Sequence, residues 1–117
     1  MKTRIRIIRP GQDDLVQEHD LPREPGYEKL EALISPVLGE GHWLERVAVL
    51  ADFEDGDNCQ PTDMFVDENG HQLGLPFNQK ATKIYRRYWL SRNPNTDPAE
   101  LPFVVGPAIL FDRSVWF

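Results

Sequence analysis

Three histidines, one cysteine and nineteen carboxylates are the residues of this chain with the richest chemistry, and their spacing decides what they can do. His19, His42 and His71 stand far apart, and none shares a metal-ligand spacing with another histidine or with Cys59, so neither a metal nor a cofactor is expected. Cys59 follows Asp52, Glu54, Asp55 and Asp57 in a polar stretch, and that negative charge opposes the thiolate a nucleophile needs. Ser35, Ser91 and Ser114 lie in no nucleophile elbow. The residue types thus point to no catalytic group and away from an enzyme.

Two weaker patterns fare no better. The run Asp52-Phe53-Glu54-Asp55-Gly56-Asp57 resembles a calcium loop in composition, but its glycine misses the sixth position and no glutamate follows at the twelfth. Gly70, Gly74 and Gly106 do not assemble a phosphate-binding fingerprint, which also requires a strand before it and a helix after it.

Charge distribution is more informative than the formal net charge of −6. Between Pro10 and Gln79 sixteen carboxylates face only Arg23, Lys29 and Arg46. Two basic islands flank this acidic body: Lys2, Arg4, Arg6 and Arg9 on one side, Lys80, Lys83, Arg86, Arg87 and Arg92 on the other. In the second island the bases interleave with Tyr85, Tyr88 and Trp89, a combination able to neutralise phosphates and stack on bases. A simpler interpretation takes precedence: the aromatics anchor the helix in the core and the bases pair with the acidic body. Lys80, Lys83 and Arg87 then form its outward basic face. The carboxylates Asp52, Glu54, Asp55, Asp57 and Asp63 form a candidate interaction surface, able to imitate a phosphate backbone toward a protein partner.

These residues must be positioned by a chain of 117 residues and 13.5 kDa, the size of one domain, taken as residues 1–117. No apolar run approaches the roughly 20 residues of a membrane span. The alternating charged start lacks a signal-peptide core, and a lone cysteine suits a reducing compartment, so the cytoplasm is expected and a membrane partner is not. Ile5 and Ile7 alternate with Arg4 and Arg6 as in a half-buried strand over 3–9, and residues 15–19 can pair back as a short edge strand. Tyr27, Leu30, Leu33, Ile34, Val37 and Leu38 recur at helical spacing, predicting a helix over 27–38 with Pro36 disturbing its last turn. The aliphatic run 45–53 reads as the middle strand of the sheet. Asn69-Gly70 predicts a hairpin between 63–67 and 71–73. Asn78 caps a second helix over 78–91, and residues 103–111 return to strand composition. The sum is an α+β domain, a mixed or antiparallel sheet with two helices on one face.

The segments Leu73-Gly74-Leu75-Pro76-Phe77-Asn78, Ala81, Ile84-Tyr85 and Val105-Gly106-Pro107-Ala108-Ile109-Leu110 resemble an uncharacterised family of small phage, plasmid and bacterial proteins, the domain of unknown function thirty-eight forty-six. The resemblance spans most of the chain, from Ile5 to Phe111, while the stretch 83–102 looks longer than the family's equivalent. It implies an N-terminal strand, an acidic hairpin, a terminal strand and a mobile-element setting, but no activity. Physically, Gly74-Leu75-Pro76-x-Asn78 reads as a hinge: glycine turns the chain, proline blocks further pairing and asparagine caps the helix. Gly74, Pro76, Asn78 and Tyr85 are also candidates for holding an anion or small ligand at the helix start.

Three functions follow in order. The first is a non-enzymatic accessory protein that binds a protein partner, with modulation of a host nucleic-acid-handling or defence system as its setting. The second is a small-ligand binder for a nucleotide or metabolite. The third is a nucleic-acid binder through the basic helix 78–91.

Overall fold

The computed structural model describes residues 1–39 and 41–117, apart from the side chain of Pro98. The order is β1 (Lys2–Ile8), β2 (Leu15–Asp20), α1 (Tyr27–Leu38), β3 (Leu44–Ala51), β4 (Gln60–Asp67), α2 (Gln79–Arg92), a 3-10 turn (Pro98–Glu100) and β5 (Ala108–Phe111). One five-stranded sheet runs β2-β1-β5-β4-β3, with every neighbouring pair antiparallel. The α+β class is as expected.

The helices, expected on one face, lie on opposite faces. Ile5 and Ile7, Phe65, and Ile109 and Phe111 pack with Leu30, Ile34 and Leu38 of α1. Their strand neighbours Ile8, Met64, Val66, Ala108 and Leu110 pack with Ala81, Ile84, Tyr85 and Tyr88 of α2. Successive side chains of a strand point to opposite faces. Strands apolar at consecutive positions therefore demand a cover on both sides, and each helix supplies one. Phe65 and Phe111 meet edge to face at 5.4 Å at the centre of the α1 layer.

The run 45–53 is not the middle of the sheet. β3 pairs with β4 alone and forms an edge, and its aliphatic character comes from one face, where Val47, Val49 and Ala51 lie under α2. The middle belongs to the four residues of β5, all buried.

No hairpin forms at Asn69-Gly70. A type I′ turn needs positive φ at both central residues, and neither has it. Asp67 Oδ1 instead accepts the Asn69 amide at 2.9 Å. The chain then coils, with Leu73 N donating to Asn69 O and Leu75 N to Gly70 O. β4 finds its partners in β3 and β5.

The resembling motifs interlock with each other. Gly106 N donates to Pro76 O at 2.7 Å and Asn78 N to Val104 O at 2.8 Å, around a bridge between Phe77 and Val105. Gly106 has φ 74°, and a Cβ there would meet Leu75 Cδ1 at 2.6 Å. This kink explains why β5 begins at Ala108 and not at 103.

Candidate functional site

The two basic islands and the acidic loop meet on the α2 side of the sheet. α2 covers the β3 end of that face, which leaves β1 to fill its share with Arg4 and Arg6. Both guanidinium groups lie over the Phe53 ring, 4.6 and 5.1 Å from its centre, a favourable cation–π placement. Arg4 also pairs with Glu54 and Asp112, and the Glu54 hydrogen bond holds its pKa above the usual value. Arg6 pairs with Asp14 and Asp55 and donates to Phe53 O at 2.6 Å. Arg4 and Arg6 of the strand's basic island thus pair with the acidic body, and of the helix's bases Lys80 does.

Beside Arg6 opens a cleft of about 550 Å³ between the β1–β2 turn, the β3–β4 loop and the first half of α2. Such a volume falls in the usual range for small-ligand sites, roughly 300–1,000 Å³. Its lining includes Asp52, Asp55, Asn78, Lys80, Lys83 and Arg87, six of the residues singled out from sequence, together with Arg9 and Asp14.

The carboxylates of this cleft are all engaged. Asp14 and Asp55 both pair with Lys80 and with Arg6. Burial works to lower the Lys80 pKa, but hydrogen bonds to Asp14 and Asp55 raise it on balance. Asp52 accepts the amides of Glu54 at 2.9 Å and Asn58 at 3.1 Å, which shapes the loop. Asp55 takes φ 62°, a left-handed conformation that costs an ordinary residue about 1–2 kcal/mol, held by its two cationic partners. Among the described residues no carboxylate lies within ion-pair distance of Arg9, Lys83 or Arg87. Arg87 donates to Cys59 Sγ at 3.2 Å.

The other expected site residues separate. Asn78 is 1% exposed, and its side chain is fully occupied: Nδ2 donates to Ile8 O and Gly106 O, and Oδ1 accepts the Ala81 amide. It caps α2 and fastens three segments together, so no donor remains for a ligand. Gly74 has φ 68° and Pro76 bonds Gly106, while Tyr85 packs on the core from α2; none of the three lines the cleft. Asp63, expected on an acidic surface, is completely buried. It accepts from Arg46 Nε at 2.8 Å and from the amides of Val115 and Trp116 at 2.8 and 3.0 Å, which pins the last residues to β4. Of the acidic set, Glu54 and Asp55 are neutralised by partners and Asp57 is simply exposed. Sequence reasoning placed neither Arg9, named only within the N-terminal basic island, nor Asp14 at the site; what linked the two was their place either side of the Pro10-Gly11 turn.

Among the described residues no three histidine, cysteine or acidic side chains gather as a metal site, and no helix is long and apolar enough to cross a membrane. Fold and cleft together define a small α+β domain with a helix on each face of an antiparallel sheet and a cationic cleft beside one helix start. No family model, curated protein or solved structure matches the chain.

Proposed function

We propose that this chain binds a small anionic ligand of the nucleotide or phosphorylated-metabolite class in the cleft at the start of α2. One observation carries the proposal: the cleft's three carboxylates are committed to internal partners, whereas among the described residues no carboxylate pairs with Arg9, Lys83 or Arg87. The charge offered to a ligand is therefore positive although the protein is acidic. The α2 N-terminus adds in the same sense, because the first helical N–H groups and the macrodipole favour negative charge. The arrangement can hold and orient phosphate oxygens. A setting as an accessory protein of a phage, plasmid or bacterial host belongs to the proposal through the resemblance. Protein binding through the acidic surface is the second reading, because Asp63 is buried in β4 and Glu54 and Asp55, though exposed, are paired with Arg4, Arg6 and Lys80.

Calorimetric titration with inorganic phosphate, ATP and a panel of sugar phosphates tests the proposal. At least one probe binds the wild type, weakens with added salt, and fails to bind the Lys83→Glu, Arg87→Glu double variant. Lys29→Glu, on α1 across the sheet, leaves binding unchanged. If no probe binds, or the double variant binds as well as the wild type, the proposal fails. A nucleic-acid ligand on the same cations would instead show as retention of single-stranded DNA or RNA tighter than that of any mononucleotide.

A further inference from the structure

A second groove, of about 280 Å³, meets α2 at Tyr85, midway along the helix, and lies between it, the start of β3, the end of β4 and the segment leading to β5. Its walls are apolar, with Val47, Val66, Tyr85 and Phe103. Phe103 is braced by His71 and Phe77, each edge to face with it at 4.9 and 5.6 Å. Its charge is of one sign: Glu45, Asp67 and Glu68 line it, and no lysine or arginine does. Among the described residues neither Glu45 nor Glu68 has a cation within ion-pair distance. Burial, aided by the charge of Glu68, holds the Glu45 carboxyl above its ordinary pKa. Asp67 is 4% exposed, and its Oδ1 accepts the amides of Trp43 and Asn69.

The groove borders the free edge of β3, which carries Glu45 and pairs only with β4. Its volume suits one side chain better than a separate ligand. We infer that this groove and the β3 edge form a docking surface for an extended segment of a partner protein, which adds a strand to β3 and places a lysine or arginine between Glu45 and Glu68. Added strands recognise an edge by main-chain hydrogen bonds and take specificity from alternate side chains in pockets. A residue directly opposite Glu45 shares its face, with Cβ atoms about 4.5–5.5 Å apart, and so reaches the groove.

A second copy of this chain is a poor occupant. Antiparallel pairing of β3 with itself, about an axis normal to the sheet, brings Glu45 opposite Glu45, Val47, Val49 or Ala51, and none of these is a cation. This surface is separate from the anion cleft, so failure at one leaves the other standing.

The probes are four soluble seven-residue peptides of alternating threonine and valine, with arginine, lysine, glutamine or glutamate at the centre, titrated into the full-length protein and followed by amide chemical shifts. The arginine and lysine peptides bind about tenfold more tightly than the glutamine peptide, and the glutamate peptide more weakly still. Shifts centre on Leu44–Ala51 with Tyr85 and Phe103. In Glu45→Gln with Glu68→Gln, both solvent-accessible changes, the preference for a cation disappears while the unfolding midpoint confirms an intact fold. Equal binding of the arginine and glutamine peptides by the wild type overturns the inference, as does binding of none of them at millimolar concentration. Spermidine binding as tightly as the arginine peptide would assign a free amine and exclude the strand. Concentration-dependent dimerisation blocking the same amides would assign the edge to a second copy.

Discussion

Asn78 is the residue on which most of this fold converges. Its amide group reaches β1 through Ile8 O, the kink before β5 through Gly106 O, and the first turn of α2 through the Ala81 N–H. Removing a capping side chain costs about 0.5–2 kcal/mol, and a buried carbonyl that loses its donor costs about 1–3 kcal/mol. Asn78→Ala should therefore lower stability by about 3 kcal/mol or more in urea unfolding, with the denaturant slope unchanged. A loss under about 1 kcal/mol would mean that water replaces the amide. From the sequence alone the cap was legible, because an asparagine before an amphipathic run accepts a first-turn N–H almost anywhere. The two long-range bonds were not, because Ile8 and Gly106 are brought to it only by the sheet.

At the scale of elements, α2 is held to the β1–β2 turn by Lys80 and Asp14, and Arg6 shares that carboxylate. Asp14 is 12% exposed and Arg6 13% on their side chains, so this pair is well removed from water. Asp14→Asn leaves Arg6 and Lys80 with Asp55 as their remaining carboxylate. It should lower stability measurably and, if the cleft takes anions, tighten phosphate binding at low salt; weaker binding would show that Asp14 contacts the ligand. That basic and acidic stretches would meet was readable from their separate blocks in the sequence. Which residues would meet was not: Arg9, 71 positions before Lys80, joined the site only when the β1–β2 turn folded beside α2.

Over the whole molecule, the α1 layer is tied to the entry of β3 by a titrating pair, His42 and Glu31. His42 Nδ1 faces Gly39 O at 2.6 Å and Nε2 faces Glu31 Oε1 at 3.0 Å, so both ring nitrogens are placed to donate. The Gly39 carbonyl first, and Glu31 with it, raise the His42 pKa above its ordinary 6.5. The Ser35 hydroxyl first, and His42 with it, lower Glu31 below its ordinary 4.5. A raised histidine stabilises fully below its unfolded value and loses that contribution as pH rises through the folded one. A depressed carboxyl stabilises above its unfolded value and loses that contribution as pH falls. The pair is therefore most stabilising from about pH 4.5 to pH 6.5. The stability gap between wild type and His42→Gln should be widest near pH 5.5 and narrow by pH 8.5, read from urea midpoints. A gap that does not vary with pH would show that the contact acts by packing alone.

By itself the sequence determined what depends on neighbours along the chain. The 27–38 helix, the cap at Asn78, the edge strand opposite β1 and the α+β class all rest on periodicity and local hydrogen bonding, which a few adjacent residues decide. The tertiary structure alone decided the rest. It put a helix on each face, because β4 and β5 are apolar in both directions. It moved the aliphatic 45–53 run to the edge, because covering by α2 imitates a central strand's composition. It overrode the Asn-Gly turn signal, because Asp67 captured the Asn69 amide and β5 offered β4 a better partner. It also decided which charges remain for a ligand: Asp63, Glu54 and Asp55 are spent on Arg46, Arg4, Arg6 and Lys80, while Arg9, Lys83 and Arg87 still face the cleft. Pairing is a matter of distance in space, and that distance is set by the sheet.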